Sequence, residues 1–147
     1  MWCARDAAVF QEGVLGAAII DTRTQIDFIW QVFITVHIAL FALIFIYSEA
    51  VDRWNALARV FALFGVGAFE YINGMALMKA YLLLDAMHDQ YRTSFGQVER
   101  FQPKFYEQFV LAQYADRPDM VMITHGSAFA FVFIVLIGRQ LIHKAER

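Results

Sequence analysis

The sequence predicts an all-α transmembrane fold. It would have three membrane-spanning helices, an N-terminal amphipathic helix and a short interfacial helix in the connection over residues 85–119. Three observations carry this. Residues 28–48 (FIWQVFITVHIALFALIFIYS) run for 21 positions without an Asp, Glu, Lys or Arg. At 1.5 Å per residue, that covers the roughly 30 Å hydrocarbon core of a bilayer. A second uncharged run of 19 residues extends from Met120 to Gly138. Finally, the 147-residue chain is 60% hydrophobic and 16% aromatic, a surplus that one soluble domain of this size buries poorly.

Residues 2–20 place Val9, Phe10, Val14, Ala17, Ala18 and Ile20 at near-helical spacing. They predict a short helix on the membrane surface or packed against the bundle, weakened by Gly13 and Gly16. Asp6 and Glu12 break any signal-peptide pattern, so insertion is expected to rely on the first long span. Thr24-Gln25-Ile26-Asp27 reads as a capping box that starts this span, which covers about 26–48. Trp30 and Tyr47 lie near its ends, as interfacial aromatics do.

The second span, about 57–84, is apolar but interrupted by Arg59, Glu70, Asn73 and Lys79. No Pro breaks it, and Gly65, Gly67 and Gly74 suit close helix packing. Over residues 85–119, Pro103 can start a short helix. Phe101, Phe105, Tyr106, Phe109 and Tyr114 read as an aromatic belt. The turn Asp116–Asp119 launches the third span, about 119–142, where Gly126 and Ala130 form a small-xxx-small pattern that proposes a close helix contact. The whole is read as one helical membrane domain over 1–147, multi-pass, in a bacterial-type inner or plasma membrane.

Charge sets an orientation. The segment 49–59 and the tail 139–147 carry Arg53, Arg59, Arg139, Lys144 and Arg147, five basic residues in 20 positions. The opposite side, 1–27 and 85–119, carries six in 62. The positive-inside rule then places the C-terminus in the cytoplasm.

Polar residues on the second helix are ordered. At 100° per residue, Arg59 falls within about 20° of Glu70, and Gly74, Tyr81 and His88 within about 40° of the same line. Asn73 and Asp85 lie within about 60°, Leu77 is an apolar member of that face, and Lys79 points the opposite way. Such a face turns away from lipid. His37, near the middle of the first span, lies at a depth where it can meet Glu70 of an antiparallel second span. Glu70, His37, Asn73 and Arg59 are therefore the candidate ion path or intramembrane polar pair, with His125 and Tyr81 as secondary candidates. The competing reading is a set of buried contacts that fix helix register.

His125 lies about 8 Å away from His37 in depth, which argues against a bis-histidine haem within one chain. No spaced ligand pair supports a metal site, and the single Cys3 allows no intrachain disulfide or cysteine metal cluster. No P-loop, dinucleotide fingerprint, HExxH or GxSxG occurs, so no catalytic residue, cofactor or enzymatic activity is expected. The net charge of -2 gives no footprint for nucleic acid. Three spans make a thin bundle that can hardly shield the Glu70 face alone. The leading expectation is thus a homo-oligomeric, channel-like or transport-related protein in the lipid bilayer. An accessory or assembly subunit of a larger membrane complex comes second, and a haem- or metal-carrying membrane protein third.

Overall fold

The computed structural model describes the backbone of residues 3–145 and the side chains of 11–138 and Leu141. The chain is helical, with no strand among the described residues. Its elements are α1 (Cys3–Ile46), α2 (Ser48–Asp52), α3 (Ala56–Phe95), α4 (Pro103–Phe105) and α5 (Arg117–Ala145). Three of these, α1, α3 and α5, are long and apolar enough to cross a membrane. Their outward positions are apolar: Phe28, Ile38, Phe45, Phe64, Ile72, Leu82 and Ile123 are all more than half exposed. Water solvates such a surface poorly and hydrocarbon solvates it well, which suggests a multi-pass membrane protein.

The N-terminal helix and the first span are one helix of 44 residues, about 66 Å long and twice the bilayer core. The expected break at Thr24 does not occur. Thr24 Oγ1 donates to the Ile20 carbonyl at 3.0 Å, and Gln25 donates to Asp21 at 3.1 Å, both one turn back. These bonds use the capping side chains inside a continuing helix, and no Pro interrupts it. Trp30 packs its ring against Phe33 and His125. The apolar positions Val9 and Phe10, like the Cys3 thiol, lie outside the described side chains.

The α3 start is set by Asn55, whose side-chain oxygen accepts from the Ala58 amide at 2.8 Å. The helix runs to Phe95, eleven residues beyond the expected end. It stops at Gly96, where a Cβ would run into the Arg92 carbonyl. Pro103 begins α4 as expected, but the segment widens into a π-helical turn over Tyr106–Val110. Pro118 and Asp119 occupy the first turn of α5, a position that suits both residue types.

The residues pack as two compact units. One comprises 1–28 and 77–118, the other 29–76 and 119–147. In both, the buried positions on the long helices follow a three-four spacing. In the first unit these are Ile19, Thr22 and Ile26 on α1, with Leu77, Leu84, His88 and Tyr91 on α3. In the second they are Phe33, His37 and Ile44 on α1, with Arg59, Val66, Glu70 and Asn73 on α3 and Val121, His125 and Val132 on α5. This is the period of a narrow seam between helices, and polar side chains occupy several of its positions.

The second unit has an apolar core of Ile44, Val51, Val66, Val132 and Leu136. Two glycines let α3 approach α5 closely there. A Cβ at Gly67 would sit 3.2 Å from the Phe129 ring, and one at Gly74 would sit 3.3 Å from the His125 ring. Gly65 and Gly126 have nothing within 4 Å of such a Cβ, and Gly126 and Ala130 are exposed. The small-residue pattern on α5 therefore lies on an exposed face rather than at a close helix crossing among the described residues. The contrast gives a test. Gly74→Leu should lower unfolding stability in mild detergent by about 1–3 kcal/mol through overpacking, while Gly65→Leu should be close to neutral. Equal thermal shifts for the two variants would contradict the assigned packing.

Candidate functional site

The costliest groups for a membrane helix meet inside the second unit. His37 comes from α1, Glu70 and Asn73 from α3, and His125 from α5. His37 Nε2 lies 2.7 Å from Glu70 Oε1. Neither of these two atoms makes a well-formed hydrogen bond, and Glu70 Oε2 is buried without a partner among the described residues. On its other side, His37 Nδ1 lies 2.8 Å from the Phe33 carbonyl.

These contacts fix the proton count. A carbonyl only accepts, so Nδ1 carries a hydrogen and donates to Phe33. In a neutral imidazole, Nε2 then presents a lone pair to Glu70. A carboxylate there would set two acceptors against each other at 2.7 Å. The pair therefore holds one further proton, either on Glu70 facing a neutral ring or on an imidazolium facing a carboxylate. Both arrangements are net neutral, which is why the pair is tolerated with Glu70 only 6% exposed.

His125 repeats half of this logic. Its Nδ1 faces the Val121 carbonyl at 3.0 Å, and its Nε2 lies 2.9 Å from the Asn73 side chain. Two bonding states satisfy the site. An imidazolium donates to Asn73 Oδ1 while Asn73 Nδ2 donates to the Ile29 carbonyl, a long bond at 3.5 Å. Alternatively, a neutral ring accepts from the amide turned end for end. The Phe33 ring packs against both imidazoles, its centroid 4.1 Å from His37 and 4.4 Å from His125. Among the described residues, no three His, Cys, Asp or Glu side chains are grouped to hold a metal ion.

Arg59 has a different position from the one its alignment with Glu70 implies. Its guanidinium donates to four backbone carbonyls: Leu136 at 2.8 Å, Val51 at 3.2 Å, Trp54 at 3.3 Å and Asp52 at 3.4 Å. Three of these close the α2 end and the turn after it, where helix carbonyls lack partners. The fourth belongs to α5. Arg59 is a clamp on backbone, 3% exposed, rather than a member of the His37–Glu70 contact. Tyr81 belongs to the first unit, where its ring stacks on Tyr114.

The Glu70 face is covered by the chain's own helices. Arg59, Glu70 and Asn73 are all buried, so one chain suffices to shield this face, contrary to the expectation of a bundle too thin to do so. The sequence also missed a contact at Glu12. It accepts from Tyr91 at 3.1 Å and from Arg100 at 2.7 Å, joining α1, α3 and the 3-10 turn Val98–Arg100. No local motif announces a contact between residues 79 and 88 positions apart. His88 is buried against Phe109 and Tyr114, and neither ring nitrogen makes a well-formed hydrogen bond.

The clamp is testable separately from the pair. Arg59→Lys keeps the charge but loses the planar fork of donors. It should cost about 1–3 kcal/mol of stability by leaving carbonyls unpaired. Unchanged thermal unfolding would remove the clamp. Compared with protein-family models, curated proteins and solved structures, the chain has no significant match, so any functional reading rests on the chemistry of this site.

Proposed function

We propose that the chain is a transport-related membrane protein that moves protons, with His37 and Glu70 as its proton-binding centre. The observation that carries this reading is the buried pair at 2.7 Å whose second carboxyl oxygen has no partner. A contact that only fixes register needs one donor and one acceptor, and an amide on α3 would supply the donor to His37 without titrating. Here the two groups in contact are both titratable, one neutral and one anionic when deprotonated, and the open Oε2 offers a landing point for water or a second proton. His125 and Asn73 supply a second titratable unit with two bonding states.

One chain contains all of these groups, and the reading does not depend on a second copy. Homo-oligomeric association is a separate proposal, tested by native mass in mild detergent. It would use other faces than the Glu70 stripe.

The centre is tested by replacement in sealed liposomes under an imposed proton gradient. Glu70→Gln retains shape and donates to His37 Nε2, so it should fold and lose proton flux. Glu70→Leu leaves His37 Nε2 unpaired and should also cost about 1–3 kcal/mol of stability. Infrared spectra of the wild type should contain a protonated-carboxyl or imidazolium–carboxylate signature that Glu70→Gln lacks. Wild-type protein without flux, or a Gln variant with full flux, would overturn the reading.

We further infer that the C-terminus faces the cytoplasm. The concentration of basic residues in 49–59 and 139–147 supports it, although the side chains of Arg139, Lys144 and Arg147 lie outside the described residues. A reporter fused after Arg147 should be active only if it functions in the cytoplasm. Activity of an exterior-only reporter at that point would reverse the orientation.

A further inference from the structure

The first unit contains a cavity of about 430 Å³ whose lining includes Ile20, Arg23, Thr24, Asp27, Tyr81 and Tyr114. We propose that it binds the headgroup of a zwitterionic phospholipid bearing a primary ammonium, of the phosphatidylethanolamine class. The inference is independent of the proton-transfer reading.

Opposite charges face the cavity from one helix. Arg23 and Asp27 are four residues apart on α1, so they lie on one face separated by about 6 Å of rise. They do not pair with each other. Arg23 instead donates to Tyr114 Oη at 2.6 Å, with its guanidinium 5.7 Å from the centroid of the same ring. Asp27 makes no hydrogen bond or ion pair with any described residue. The site thus offers a cation and an anion, held apart, to a ligand that carries both.

Its wall is built in advance. The Tyr114 amide donates to Asp85 Oδ1 at 2.7 Å, and the Tyr81 ring stacks on that of Tyr114. Tyr114 is therefore fixed from the backbone, from the Tyr81 and His88 rings and from Arg23. A guanidinium with a fixed orientation is suited to a phosphate diester. The same contacts decide the amine. A quaternary ammonium is recognised by aromatic faces, yet the Tyr114 ring is already engaged by Arg23 and Tyr81. Asp27 provides what a primary ammonium needs, a carboxylate that accepts its N–H hydrogens. The same carboxylate repels lipids with net negative charge.

Position favours a lipid over a soluble molecule of the same headgroup chemistry. Asp27 is the last charged residue before the uncharged run that begins at Phe28, which places the cavity at the edge of the apolar zone. Ile20, on the cavity wall, and Phe28, which follows Asp27 on α1, are 59% and 65% exposed, so chains extending from a bound headgroup meet apolar surface.

Native mass spectrometry of the delipidated full chain in mild detergent tests the site, with phosphatidylethanolamine, phosphatidylcholine and phosphatidylglycerol titrated separately. Phosphatidylethanolamine should bind at least tenfold more tightly than the other two. Arg23→Gln should weaken that binding about tenfold or more. Asp27→Asn should erase the discrimination by admitting phosphatidylglycerol, and as an exposed, unpaired position it should fold normally. Glycerophosphoethanolamine should compete only at far higher concentration. Equal binding of the three lipids to the wild type would overturn the proposal. So would retention of full selectivity in Asp27→Asn, or competition by the soluble headgroup at lipid-like concentration.

Discussion

A carboxyl group and an imidazole that share one proton can be buried where neither could be buried as an ion alone. The second unit depends on that condition. His37 and Glu70 lie on different helices, and their net neutrality lets α1 and α3 bring them together away from water. The Phe33 carbonyl fixes a hydrogen on His37 Nδ1, so Nε2 and the Glu70 carboxyl group hold one further proton between them. A backbone group one turn away on α1 thus constrains the proton count of a contact that reaches α3, and this links packing to chemistry.

The remaining polar groups of that unit obey the same rule by different means. Arg59 cannot lose its charge, so it is surrounded by carbonyl dipoles. These come from the end of α2, from the turn that follows it and from α5. Asn73 and His125 satisfy each other across α3 and α5, with a choice of two bonding states. Gly74 allows this approach, because any larger residue would meet the His125 ring. The polar groups are positioned by close contact between helices, and the close contact is permitted by glycine at the crossing.

The first unit uses polar groups at its surface instead. Glu12 gathers Tyr91 and Arg100, while Arg23 and Asp85 hold Tyr114 from opposite ends. The aromatic residues of the connection pack in ring pairs, including Phe105 on Phe109 and His88 on Phe109. Their spacing in the sequence predicts an interfacial belt beside the membrane. The structure turns several of them inward onto α3, because a connection without long helices still has to cover the buried Leu84, His88 and Tyr91.

Much of this was written into local sequence. Uncharged runs at 28–48 and 120–138 dictate long apolar helices, since backbone polar groups in hydrocarbon must be satisfied within their own segment. The 100° period placed Arg59, Glu70 and Gly74 on one face of α3, and depth alone allowed His37 to meet Glu70. Other features were decided only by tertiary contact. The continuity of α1 through Thr24 depends on side chains that could equally have capped a new helix. Arg59 and Glu70 share a face, yet one grips carbonyls and the other an imidazole, because their neighbours on α1, α2 and α5 differ. The coverage of the polar face by a single chain, and the engagement of Arg23 by Tyr114, likewise follow from residues far apart in sequence. Periodicity fixes the direction in which a side chain points, whereas the partner it finds there is set by helices whose register no local pattern encodes.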